Sequence, residues 1–157
     1  MRAMTSIRLR KIVTDDLPEM FRQEIDPVAN RMAAVIPREE TAFRTHWLKI
    51  LSDPEVVAQA IVVDDQLAGY IACFKAGDED MVGYRIGQGF WGRGVATRAL
   101  ELMLRLVAVR PLHARVALHN KGSLRVLEKC GFVIVGQEHA VATERLLECD
   151  EAILVLR

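Results

Sequence analysis

Cysteine is scarce in this chain of 157 residues: Cys73, Cys130 and Cys149 are the only three, and they stand far apart. They form no CxxC pair and no metal-ligand spacing, so the sequence predicts neither a metal site nor a disulfide framework. The expected reading is three small buried hydrophobes in a reducing cytoplasm. No apolar run approaches the roughly 20 residues that span a bilayer. The opening MRAMTSIRLR lacks the apolar centre of a secretory signal. Net charge is also missing, since 21 Lys+Arg balance 21 Asp+Glu. That balance argues against a broad electrostatic grip on nucleic acid, while leaving room for a local cationic pocket. There is no linker, internal repeat or low-complexity stretch, so one domain over 1–157 is expected, with no membrane partner.

What is present is an ordinary soluble composition, 51% apolar and 27% charged. Ile7 to Val13 alternates as a first strand. In TDDLPEM, Asp16 is placed to cap a helix, with Glu19 three residues later and Pro18 in the first turn. Leu17, Met20, Phe21 and Ile25 fall on one face of that helix, and Glu24 lies on the same stripe. Asp26-Pro27 breaks it, with room for a short turn or two before residue 36. Arg38 to Ser52 is a second helix, with Phe43, Trp47, Ile50 and Leu51 inward and His46 at the edge of that face. Val56–Val63 and Leu67–Lys75 make a hairpin around a tight turn, and 81–87 adds a third strand. Val95–Arg110 is the longest helix, with Val95, Ala99, Leu102, Met103 and Leu106 facing in. A short strand at 114–118, a helix over 121–130 closed by Gly131-Phe132, and two final strands complete the chain. The pattern predicts an α/β domain of α+β type. Its mixed, mostly antiparallel sheet has about seven strands, about four flanking helices and one parallel crossover, from 81–87 through the long helix to 114–118.

The densest signal is GYRIGQGFWGRGVAT at 83–97, with five glycines in fifteen positions. Gly87, Gly89 and Gly92 imitate a dinucleotide fingerprint. That fingerprint belongs in a first strand-turn-helix unit and wants an acidic residue about 20 positions on. Here the match is mid-chain, Phe90 and Trp91 fill the turn, and the next strand ends in His119-Asn120. No Gly-Lys-Ser/Thr follows, which excludes a Walker loop. The better reading starts at Gly92. Gly92 and Gly94 let the chain run close to a ligand at the mouth of the long helix, where the first N–H groups are unpaired and the dipole is positive. Amides from about Gly89 to Val95 would hold a pyrophosphate. Arg93, inside the loop, is the favoured cation, ahead of Lys121 and Arg125.

GYRIGQGFWGRGVATRAL (83–100) together with HNKGSLRVLEKCGF (119–132) resembles the GNAT acyl-CoA N-acetyltransferase superfamily. The likeness is nearest to its ribosomal-protein-alanine acetyltransferase-like branch, and the element order matches across nearly the whole chain. The resemblance implies acetyl-CoA as co-substrate, with no metal. It implies a central splay between the strands at 81–87 and 114–118, with the pantetheine arm in the gap. A backbone N–H near Ile86 or Gly87 would face the thioester oxygen. Gly89, Phe90, Trp91, Gly92, Arg93, Gly94, Val95 and Ala96 would surround the pyrophosphate, and Asn120 and Ser123 would touch the arm or the departing sulfur. Two departures stand out. The family's usual Gln or Arg would fall at position 89, which is Gly here, with Gln88 one place early. Many members carry a tyrosine acid where this chain has Leu127, so no tyrosine acid is assigned.

The implied reaction is direct attack of an amine on a thioester. An ammonium has no lone pair, so some group must take a proton. Ser123 is the candidate acid for the leaving thiolate. Glu24, a carboxylate on an apolar stripe, is a candidate base, with Asp26 a weaker one. His119, at the end of a strand beside the expected thioester, is another, because imidazole titrates near neutrality. The expected function is acetyl transfer to a primary amine of a small molecule or a protein N-terminus. The alternatives are a non-catalytic acyl-CoA-binding module and a homodimeric interaction domain with a vestigial loop.

Overall fold

The computed structural model describes residues 5–157; residues 1–4, which begin the stretch read for a leader, lie outside it. Seven strands form one sheet in the order β1-β2-β3-β4-β5-β7-β6. They are β1 (Ile7–Lys11), β2 (Val57–Val63), β3 (Gln66–Ala76), β4 (Glu79–Ile86), β5 (Leu112–Ala117), β6 (Val133–Ala140) and β7 (Cys149–Leu156). Five α-helices flank it: α1 (Leu17–Glu24), α2 (Pro27–Ala33), α3 (Glu40–Ser52), α4 (Val95–Leu106) and α5 (Lys121–Lys129). No described helix is long and apolar enough to cross a membrane.

Every strand pairing is antiparallel except β4 with β5, which is parallel and touches at one position only, Met81 with His113. Beyond Met81 the two strands part. Alternation along the strands sends their side chains to two layers. Val82 and Ile86 of β4 join Ile71, Leu100, Met103, Leu112 and Leu127 in the core under α4 and α5. Ala60 lies on the opposite face with Leu17, Met20, Phe43 and Trp47, and Tyr70 packs against them. Each fully buried Leu, Ile, Phe or Met contributes roughly 1.5–3 kcal/mol over its exposed state.

Three local outcomes differ from the sequence pattern. The helix expected after Asp16 does begin at Leu17, but a 3-10 turn at Thr14–Asp16 precedes it and the Asp16 side chain makes no cap bond to it. The Asp16 carboxylate accepts from the Val13 amide at 2.8 Å and from Arg10 Nη1 at 2.7 Å, while Glu19 pairs with Arg22 instead of closing a capping box. Ile25 is exposed, because α1 stops at Glu24 and the turn before Pro27 carries residue 25 outward. The long helix ends at Leu106 rather than Arg110: Val107 turns extended and takes the inner place, leaving Leu106 in solvent and Leu100 in the core. By contrast, α5 closes as its sequence predicts. Gly131 adopts φ +95°, Phe132 donates to Leu127 O at 3.0 Å, and its ring is buried.

Arg10 holds the Asp16 carboxyl below the usual carboxylate range through its hydrogen bonds. A carboxyl depressed in the folded state stabilises above its unfolded value of about 3.9 and loses that contribution as pH falls through the folded value. Asp16→Asn is therefore expected to lower the thermal midpoint at pH 7, with parent and variant converging as pH falls through the depressed carboxyl value. Melts across pH 2–7 check this.

The hairpin tip between β6 and β7 folds back over the other end of the chain. Leu146 bridges Val35, Ile36 N donates to Arg145 O at 2.8 Å, and Leu147 N donates to Ala34 O at 2.9 Å. Residues 145–147 thereby strap the α2–α3 connection to the C-terminal half of the sheet.

Candidate active site

A cleft of about 1080 Å³ runs from the mouth of α4, through the β4–β5 gap, to a wall made by α2, α3 and β3. A smaller space of about 140 Å³ continues between the strands, against Val82, Ala114, Val116 and Leu127.

The mouth of α4 is built as an anion cradle. Gly92 and Gly94 hold φ +74° and +73°, the left-handed region that a side chain resists, and a Cβ at either would meet only open space. The first α4 backbone bond runs from Arg98 N to Gly94 O at 3.1 Å. The amides just before it therefore point out of the helix end unpaired by it. The usable set sits further along than the sequence suggests. Phe90 N and Trp91 N donate to Gly87 O at 2.9 Å and Gln88 O at 3.1 Å in a 3-10 turn, so neither amide is open to a ligand. Gly92, Gly94, Val95, Ala96 and Thr97 line the cleft; Gly89 and Arg93 do not. Arg93 turns toward Asp64, 4.0 Å away, and lies over the Phe90 ring. Beside the α4 mouth the cations on the cleft wall are Lys121, Arg125 and Lys129 of α5, while Arg85 of β4 lines the cleft toward the α2–α3 side. Trp91 serves as a wall and a latch, its indole N–H donating to Ile86 O at 2.8 Å and pinning the glycine turn to the end of β4.

The backbone of β4 narrows the choice of oxyanion donor. Gly87 N donates to Ala68 O at 2.7 Å, so that amide is already used by β3. Antiparallel alternation puts the odd-numbered residues of β4 in the same bonds and directs the amides of Ile86 and Tyr84 toward the gap.

At the waist of the cleft the Tyr84 hydroxyl meets Ser123 Oγ at 2.7 Å. Burial pushes the Tyr84 phenol up to about 12, and the Ser123 hydrogen bond opposes that only in part. Tyr84 therefore stays protonated at neutral pH. Sequence reasoning missed this residue; its one signal was a phenol at the inward register of β4, between Val82 and Ile86. Ser123 sits in the first turn of α5, where Asn120 Oδ1 accepts from Ser123 N at 3.3 Å, so Asn120 is helix cap and cleft wall together.

His119 also lines the cleft. Its Nε2 lies 2.9 Å from Arg31 O. A carbonyl only accepts, so Nε2 carries the proton and Nδ1 keeps its lone pair. Glu24 is placed differently. It is buried rather than frayed into solvent and does not line the cleft. Its Oε2 accepts from Arg38 N at 3.2 Å, and its carboxylate lies 3.9 Å from Arg85 and 3.7 Å from Arg145. Asp26 caps α2 through Val28 N. The three cysteines are free, and burial raises each thiol, Cys73 to about 11, so none is a ready thiolate.

A parallel strand pair that splays open, followed by a helix mouth of unpaired amides, leaves an elongated space in the sheet with hydrogen-bond donors at one end. The model of the acetyltransferase (GNAT) domain matches residues 6–133. The chain therefore belongs to the GNAT acetyltransferase family, and acetyl-CoA is its acyl donor. Among solved structures it is similar to a Bacillus anthracis GNAT-family acetyltransferase, with TM-score 0.80 at 16% identity, covering 96% of this chain and 93% of that one. It is similar to the microcin C7 self-immunity acetyltransferase MccE, solved with acetyl-CoA and AMP, with TM-score 0.77 at 16% identity over 96% and 92% of the two chains. A further acetyltransferase structure shares 25% identity, with TM-score 0.71 over 96% and 82%. Those below 25% identity speak for the fold alone. No curated protein matches the sequence.

Proposed function

We propose that the chain transfers the acetyl group of acetyl-CoA to the primary amine of a small molecule or a protein N-terminus, by direct attack in a ternary complex. The observation that carries the reading is the Tyr84–Ser123 hydroxyl pair, set at the waist between the amide cradle and the α2–α3 wall. The open φ-positive turn, the unpaired helix mouth and the basic rim of α5 fit a pyrophosphate. Acetyl-CoA supplies the thioester that the amine attacks.

Each group on the chain then has a task. Gly92 to Thr97 and the α5 cations hold the diphosphate. Ile86 N–H is directed where negative charge develops on the carbonyl oxygen. His119 Nδ1 accepts a proton from the ammonium, directly or through water. Ser123 Oγ passes a proton to the leaving sulfur and is resupplied by Tyr84, which takes a replacement proton from solvent in the open cleft as CoA departs. Glu24, already shared among Arg85, Arg145 and the Arg38 amide, is left out of proton transfer.

Release of free thiol from acetyl-CoA with a panel of primary amines tests the reading; no release above hydrolysis from any amine sinks it. Tyr84→Phe and Ser123→Ala are each expected to lower kcat by about 100-fold, the lower end for a positioned acid, with CoA affinity within a few-fold of the parent. The double variant should lose little more, since the two hydroxyls act as one relay.

A further inference from the structure

The acceptor end of the cleft has a one-sided charge. Among the described residues, not one Asp or Glu lines the 1080 Å³ space. The polar groups on the α2–α3 side are cationic or neutral: Arg85, His46 and the Tyr70 hydroxyl, set among Trp47, Ile50 and Phe74. Arg85 is nearly buried, its side chain 11% exposed. Nη2 donates to Asn30 Oδ1 at 2.9 Å and Nη1 to Gln23 O at 3.3 Å, both on the α1–α2 side. A guanidinium carries five donors, more than these two bonds use, and Arg85 lines the cleft.

The charge around Arg85 does not close within the protein. Glu24 is shared between two guanidiniums, those of Arg85 and Arg145. Arg38 adds repulsion to the same group: with Arg145 it helps burial pull His46 below the usual imidazole range, and after burial it is the next cause holding Arg145 down. Arg145 Nη1 is buried with no hydrogen-bond partner. Arg85 is nearly buried and shares its one counter-ion with the partly exposed Arg145, and a buried cation short of counter-charge is costly, so an anion reaching Arg85 from the cleft relieves that cost. The same field repels an acceptor that brings a second ammonium.

We infer that the acceptor is an amino-acid-type amine, a small molecule carrying a carboxylate beside an apolar or aromatic body, and that Arg85 receives the carboxylate in the cleft. This inference rests on the transfer reaction proposed above and names its substrate class. The carboxylate takes the remaining guanidinium donors, a pairing whose planar geometry suits Arg over Lys. The apolar body lies against Trp47, Ile50 and Phe74, and the amine is left to face the waist.

Matched acceptors test it on the unmodified enzyme: leucine against isopentylamine, methionine against 3-(methylthio)propylamine, phenylalanine against phenethylamine, with spermidine as a polycation. For at least one pair, the carboxylate-bearing member is expected to show kcat/KM higher by about 100-fold, as for loss of one partner of a desolvated charge pair. 3-Phenylpropionate should compete with the amine and not with acetyl-CoA. Arg85→Gln should erase the pair preference through KM while CoA affinity, read by titration, is retained. Because Arg85 is buried and the variant can lose its fold, the pair comparison and the competitor stand without it. Equal turnover within every pair, or a preference for the decarboxylated amines or spermidine, overturns the inference and leaves the transferase reading intact. No thiol release from any amine overturns the transferase reading, and this one with it.

Discussion

Gly94→Glu is expected to bring CoA binding below detection in a calorimetric titration, a loss of at least 100-fold, with the fold preserved. The position separates ligand effects from packing effects. A Cβ at 94 meets no protein atom within 4 Å, so no neighbour has to move. The backbone strain at φ +73° is about 1 kcal/mol for a non-glycine residue. The carboxylate, however, would enter the positive end of α4, where the diphosphate has to lie, and like charges at close range in a partly desolvated cleft repel strongly. Gly94→Ala carries the same strain without the charge and should lose no more than about tenfold, the equivalent of 1.4 kcal/mol. A Gly94→Glu protein that still binds CoA at micromolar Kd would show that the diphosphate rests elsewhere.

Glu24→Gln should cost about 3 kcal/mol of unfolding free energy, the lower end of the range for breaking a buried ion pair. The reason is what stays behind. Arg85 and Arg145 remain close together and lose their shared counter-ion, while the amide can still accept from Arg38 N. The lower end applies because the Arg145 side chain is 35% exposed and solvent screens part of the penalty. Urea unfolding followed by circular dichroism gives the number. The same variant separates a structural carboxylate from a base. Loss of a base would remove the acid limb of the kcat–pH profile, and loss of a counter-ion leaves the profile in place on the folded fraction. The profile is expected to remain.

The parts of the site legible in the sequence were those made by short-range backbone geometry. Gly92 and Gly94 marked the turn that opens the long helix and both take positive φ, Asn120 capped the helix that carries Ser123, and Gly131-Phe132 ended it. Each depends on residues within a few positions of one another. The parts not legible there depend on distant chain meeting in space. Tyr84 and Ser123 lie 39 positions apart and meet only because β4 parts from β5 while α5 packs across the opening. Glu24 looked like a free carboxylate because its cations stand in β4 and in the hairpin tip, far along the chain. Arg93 looked like the phosphate ligand by adjacency, but Phe90 and Asp64 hold it aside. The amides of Phe90 and Trp91 were lost to the site by a turn that glycine content alone does not reveal.

The strap of residues 145–147 across the α2–α3 connection has an evolutionary consequence. Of the pieces it ties together, Val35 lines the cleft, and none of them belongs to the glycine turn or to α5. Insertions or substitutions in the hairpin tip can therefore reshape that wall of the cleft while leaving the mouth of α4 in place.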